Sequence, residues 1–120
     1  MARDSILLDK SLHFAARIVK LNRYLTKEKH ETVISKQMIR SATSIGANAN
    51  EAIYGCSRAD FLAKLQISLK ETAETEYWLR LLMLSEYLSE TEGYYSLLQD
   101  CLEIKRILIS SINTAKENLK

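Results

Sequence analysis

The run Arg40-Ser41-Ala42-Thr43-Ser44-Ile45-Gly46-Ala47-Asn48-Ala49-Asn50-Glu51-Ala52 decides the fold. Extended upstream, its apolar residues Ile34, Met38, Ala42, Ile45, Ala49, Ala52 and Ile53 recur mainly at steps of three and four, the period of a helix and not of a strand. Beside them runs a second stripe, Gln37, Ser41, Ser44, Asn48 and Glu51, most of it short and polar. Side chains of that size let a neighbouring helix approach closely, which suits a packed seam better than open solvent. The segment therefore reads as a helix from Thr32 to Tyr54, with Gly55 as its C-terminal stop.

The same period extends in both directions. Upstream, a helix from Ser5 to Thr26 places Leu7, Phe14, Ile18, Leu21 and Leu25 on one face, widened by Leu8, Ala15 and Val19. Its opposite arc carries Lys10, His13, Arg17, Lys20, Arg23 and Lys27, and the charged stretch Lys27–Glu31 reads as a turn. Downstream, Ser57 or Asp60 can cap a helix from Arg58 to Leu88. Phe61, Leu62, Leu65, Leu69, Leu79 and Met83 form one face of it, and Ile67, Trp78 and Leu82 lie nearly opposite. A rim helix of a monomeric bundle needs one apolar stripe, so the second stripe points to cover by another chain or to an all-round buried helix. A fourth helix starts near Ser89-Glu90-Thr91-Glu92, where Ser89 and Glu92 have capping-box spacing. Tyr94, Leu97, Leu98, Cys101, Ile104, Leu108 and Ile112 carry its core pattern.

Composition agrees. The 120 residues are 47% hydrophobic and 27% charged, with no proline and three glycines. One domain of this size folds, and so few turn formers disfavour a β or α/β architecture. Four long helices joined by short turns predict an all-α, antiparallel up-down-up-down four-helix bundle over residues 1–120. No apolar run reaches the ~20 residues of a membrane span. Met1–Ser5 has no apolar signal core, so no membrane partner and a cytoplasmic protein are expected. Cys56 and Cys101 are too few and too far apart for a metal motif, and each is expected to pack as a small apolar group.

Catalytic and cofactor chemistry finds little support. A di-iron bundle needs Glu-x-x-His pairs, and neither His13 nor His30 follows a glutamate at that spacing. There is no phosphate loop and no HExxH, so no cofactor and no metal site are expected. His13 lies among basic residues and reads as solvated. Glu71, Glu74 and Glu76 read as partners of Lys and Arg, including Lys70 and Arg80. Tyr77-Trp78 could stack on bases, but at helical spacing with Ile67 and Leu82 it reads as a core or subunit anchor. Charge is uneven. Residues 1–40 hold nine of the 17 Lys and Arg but only four of the 15 acids, a mild sign of a polyanion partner or of basic-to-acidic contact between subunits.

With Ser57-Arg58-Ala59-Asp60-Phe61 and Lys70-Glu71-Thr72-Ala73-Glu74-Thr75-Glu76-Tyr77-Trp78-Leu79-Arg80, the opening run resembles the four-helix-bundle family of 23S ribosomal RNA intervening-sequence proteins. Lys10-Ser11…Phe14-Ala15 and Gln37…Arg40-Ser41 fit as well, so the resemblance spans nearly the whole chain. It departs at Ala49 and Asn50, where the family usually has an aliphatic and a small residue. The resemblance implies a four-helix bundle and, in similar proteins, a ring-shaped homopentamer. Some members are encoded within ribosomal RNA gene insertions. A related accessory factor of diversity-generating retroelements binds nucleic acid and a reverse transcriptase. The resemblance carries no catalytic residue. The expected function is thus a non-enzymatic homo-oligomer binding RNA or DNA, structured RNA foremost, through Lys10, Arg17, Lys20, Arg23 and Lys27, with Ile67, Trp78 and Leu82 between subunits. The alternative is a scaffold docking a partner protein without nucleic-acid contact.

Overall fold

The computed structural model describes residues 2–89 and 91–119, without the side chains of residues 2–4 and of Glu92. Four helices account for nearly all of them: α1 (Ala2–Lys27), α2 (Ile34–Ile53), α3 (Arg58–Leu84) and α4 (Glu92–Leu119). There is no strand among the described residues. The helices pack in a closed cycle, α1 on α2, α2 on α3, α3 on α4 and α4 back on α1, around one apolar core. The resulting body measures 49 × 22 × 20 Å. Its long dimension is that of its longest helix, since the 28 residues of α4 rise about 42 Å.

Three of the four core faces are those that the apolar period predicts. On α1, Leu7, Phe14, Ile18 and Leu25 are buried. On α2 the buried line is Met38, Ala42, Ile45, Ala49 and Ala52. On α4 it runs from Tyr94 through Leu97, Leu98, Cys101, Ile104 and Leu108 to Ile112. At Gly46 the backbone of α2 approaches α1 closely. A Cβ there would sit 3.1 Å from Oγ of the buried Ser11, a tight contact that Ser11 would have to relieve by a few tenths of an ångström.

On α3 the structure differs from the apolar pattern. Its buried line is Leu65, Ser68, Thr72, Thr75, Leu79 and Leu82. Phe61, Leu62, Leu69 and Met83 only flank the core, half-buried. The steps of three and four are those of a helix, but hydroxyl residues fill the middle, so a search for apolar side chains places the stripe too far round. Leu82 is 0% exposed within the single chain. It is a core residue with no surface for a subunit contact, which corrects its placement on an outer stripe.

The helix ends also differ from expectation by a few residues, and each has a physical cause. The helix expected from Thr32 starts at Ile34 because Glu31 caps it. The Glu31 carboxylate accepts backbone N–H bonds from Val33 (3.1 Å), Ile34 (3.0 Å) and Ser35 (2.7 Å), and the Ser35 hydroxyl donates back to the Glu31 carbonyl at 2.8 Å. Burial works to raise the Glu31 carboxyl, but the donors of Ile34, Ser35 and Val33 outweigh it and hold the group below its ordinary value. Helix α3 ends at Leu84, not Leu88. Glu86 takes φ 69°, and the Glu86 and Tyr87 N–H groups donate back to Met83 (3.1 Å) and Leu82 (2.9 Å). This is a Schellman stop with glutamate where glycine is usual. Ser57 caps α3 as expected, its hydroxyl accepting from Asp60 N–H at 3.1 Å. At α4 it is Thr91 whose hydroxyl accepts from the Tyr94 N–H (3.3 Å). The expected Ser89–Glu92 box involves a side chain outside the described residues.

Candidate nucleic-acid interface

The five basic residues singled out on the first helix divide into two sets. Lys10 and Arg17 are turned toward α4. Lys10 Nζ lies 2.8 Å from Glu103, and Arg17 Nη1 lies 2.6 Å from Asp100 while donating to Ser96 Oγ at 3.1 Å. The hydrogen bond from Lys10 and its nearby charge hold Glu103 below the ordinary carboxylate range, and Glu103 raises Lys10 in turn. These two cations are engaged within the fold. Lys20, Arg23 and Lys27 are exposed and form no ion pair among the described residues. They stand at steps of three and four, so they share one outer face of α1.

Two further groups belong to this face. Tyr24, 45% exposed, lies between Arg23 and Lys27, and Lys29 Nζ stands 6.0 Å from its ring centroid. Sequence reasoning passed over Tyr24, although an aromatic interleaved with cations at helical spacing was the available signal. Lys20 also borders a groove of about 390 Å³, shared with Arg17, Leu21, Leu88, Tyr94 and Leu97, where α1 meets the α3–α4 turn. His13 is exposed on α1. Its Nδ1 lies 2.8 Å from the Asp9 carbonyl and 3.3 Å from the Asp9 carboxylate, one turn back on the same helix.

The acids of α3 pair with Lys and Arg as expected from sequence, Arg80 among them, but Lys70 is not one of their partners. Arg40 on α2 bridges Glu71 (3.2 Å) and Glu74, and the Trp78 indole N–H donates to the same Glu74 oxygen at 2.9 Å. Glu76 takes Arg80 and Lys105, each at 3.0 Å. Lys70, proposed as a partner, makes no ion pair among the described residues. The Trp78 hydrogen bond comes first among the influences holding Glu74 low, with Arg40 adding to it against the opposing effect of burial. Trp78 is half-buried against the core and tied to an acid, which is poor preparation for stacking on a base. Of the proposed subunit contacts, Ile67 remains accessible at 43% and Trp78 in part, while Leu82 does not.

Beneath this cluster lie buried hydroxyls. Ser41 Oγ meets Thr75 Oγ1 at 2.8 Å, and Ser68 Oγ donates to the Ile45 carbonyl at 2.8 Å. Cys101 Sγ lies 3.5 Å from the Thr72 carbonyl, and burial pushes its thiol up to about 12, so it packs as a neutral group. Cys56 is exposed in the α2–α3 turn, against the expectation that it packs inside. Among the described residues, no three of His, Cys, Asp and Glu converge on a metal site. No described helix is long and apolar enough to cross a membrane.

A family model described as 23S rRNA-intervening sequence protein matches residues 3–110. Among solved structures, the chain is similar to a protein of unknown function from the S23 ribosomal protein family of Bacteroides thetaiotaomicron VPI-5482. The two are 53% identical and superpose with a TM-score of 0.90 over 92% of this chain and 98% of that one. No curated protein matches the sequence.

Proposed function

The chain belongs to the 23S rRNA-intervening sequence protein family, and on that premise we propose that it is a non-enzymatic, cytoplasmic nucleic-acid-binding protein. Structured RNA is its foremost ligand. One observation carries the reading: Lys20, Arg23 and Lys27 are exposed on one face of α1 with no acidic partner among the described residues. Lys10 and Arg17, on the same helix, are matched by acids of α4, whereas these three stand together on one face without such acids. An unmatched row is electrostatically suited to phosphates, whose counterions it releases on binding. The phosphate contacts thus narrow from five residues to these three.

The antiparallel up-down-up-down topology belongs to the same reading. It is supported by pairs whose order reverses along the chain: Lys10 with Glu103 but Arg17 with Asp100, and Ser41 with Thr75 but Ile45 with Ser68. Assembly into a ring-shaped homopentamer is supported by Ile67 and Tyr77, 43% and 61% exposed on the outer side of α3, which a second copy would cover. A ring would repeat the short basic row and raise its avidity.

Fluorescence anisotropy with a structured RNA across a salt series tests the binding. Affinity should fall linearly in log–log form. Charge reversal at Lys20, Arg23 and Lys27 should abolish low-salt binding, whereas Lys10→Met should change it little. Binding indifferent to salt would overturn the assignment and favour a protein partner. Light scattering tests the assembly, and a monomer would sink it.

A further inference from the structure

We propose that the α1 face recognises unpaired nucleotides, one base stacking on Tyr24 while Lys20, Arg23 and Lys27 hold the flanking phosphates. The inference rests on the nucleic-acid reading above and narrows its ligand from structured RNA in general to the single-stranded parts of it.

Three features of the face point this way. Tyr24 lies inside the cationic row, between Lys20 and Arg23 on one side in sequence and Lys27 on the other, and 45% of it is exposed. Lys20 to Lys27 spans about 10 Å of helix, reach enough for only a few consecutive phosphates of one strand. The row is therefore matched to a short segment of a single backbone. Lys29 Nζ stands over one face of the Tyr24 ring, 6.0 Å from its centroid, and so adds a fourth cation beside the ring whose other face would take the base. A duplex satisfies the cations alone. Its bases are already stacked on one another and offer only their edges to the grooves, so the phenol ring gains nothing from it. An unpaired base offers a whole π-face, and stacking of this kind tolerates any base.

The aromatic pair on α3 is less suited to the task. Trp78 is tied to Glu74, and Tyr77 packs edge-on against Trp78 at 5.1 Å, beside Glu74 and Glu76. The cations beside that pair, Arg40, Arg80 and Lys105, are already held by these acids. On α1 an exposed ring and unmatched cations coincide.

The test uses the full chain, with single-stranded RNA and DNA carrying 2-aminopurine at one position, and the same strands annealed into duplexes. At matched length and salt, an RNA or DNA single strand should bind more tightly than its duplex by about five-fold to a hundred-fold, the range one stacked base supplies. Its 2-aminopurine emission should be quenched. Tyr24→Ala should remove both the preference and the quenching while leaving duplex affinity and the salt slope unchanged, and Tyr24→Phe should keep them. Neutralising Arg23 should weaken single strand and duplex alike and lower the salt slope by about one. Circular dichroism of each variant confirms its helices. Equal affinity for strand and duplex, or full single-strand preference in Tyr24→Ala, overturns this inference while salt-dependent binding keeps the broader reading. Absence of binding to every probe at low salt overturns both.

Discussion

Between α2 and α3, Ser41 meets Thr75 and Ser68 meets the Ile45 carbonyl, all three hydroxyl residues with no exposed surface. Between α1 and α4, Lys10 meets Glu103 and Arg17 meets Asp100 through side chains that are 38–43% exposed. Both seams close the same core, but they depend on different physics. A buried hydroxyl costs free energy unless it is bonded, and losing one partner leaves the other unsatisfied at a cost of about 1–3 kcal/mol. An exposed ion pair competes with water and contributes roughly 0–1 kcal/mol. The first seam thus demands particular small side chains at particular positions. The second orients long side chains over the core and tolerates exchange. Lys20, Arg23 and Lys27 lie outside both seams and form no ion pair among the described residues.

The largest effect should come from filling the tight seam. Ser68→Leu forces a bulky side chain into a fully buried position of the α2–α3 seam and removes the bond to Ile45 O, and should cost about 3 kcal/mol in denaturant unfolding. Thr75→Val keeps the shape and removes only the hydroxyl that faces Ser41. Ser41 Oγ keeps its bond to the Met38 carbonyl, so the change should cost about 1 kcal/mol, measured the same way. If either change proved neutral, the seam would not be as closely packed as its hydroxyl bonds imply.

Acid should separate the seams next. Glu74, above the α2–α3 seam, and Glu103, on the α1–α4 seam, are both held below the ordinary carboxylate range. A depressed carboxyl contributes stability that is present above its unfolded value of about 4.3 and is lost as pH falls through the lower folded value. Glu74 is bonded by both the Trp78 indole and Arg40 and its side chain is 31% exposed, whereas Glu103 is bonded by Lys10 and is 43% exposed. Unfolding midpoints followed below pH 5 should therefore flatten more in Glu74→Gln than in Glu103→Gln. The reverse order would mean that the exposed pair matters more than its accessibility allows. The smallest change is expected for Arg17→Met, within about 0.5 kcal/mol of the parent in thermal melts. A loss as large as that of Thr75→Val would erase the contrast between the seams.

The same contrast explains what could be read in advance. Faces made of large apolar residues were legible: the Met38–Ala52 line of α2 and the Tyr94–Ile112 line of α4 follow directly from their spacing. The inward face of α3 was not, because Ser68, Thr72 and Thr75 look like solvent-facing residues until a partner is found for each hydroxyl. The basic arc of α1 was legible as an arc. Its division into engaged and open cations was not, since that depends on which residues of α4 come within reach. Arg40 escaped notice as the hub of Glu71 and Glu74 for the same reason, its partners being more than thirty residues away.

By itself, then, the sequence determined the number of helices, their approximate limits and the all-α class, because helical period and scarce turn formers are local properties of the chain. Tertiary structure decided where α3 turns its hydroxyls, that Leu82 is interior, which glutamate ends a helix in a left-handed conformation, and which lysines remain free. Apart from the Glu86 stop, which is made within a few residues, these are properties of pairs distant in sequence, fixed only when burial makes an unpaired hydroxyl costly and brings opposite charges together.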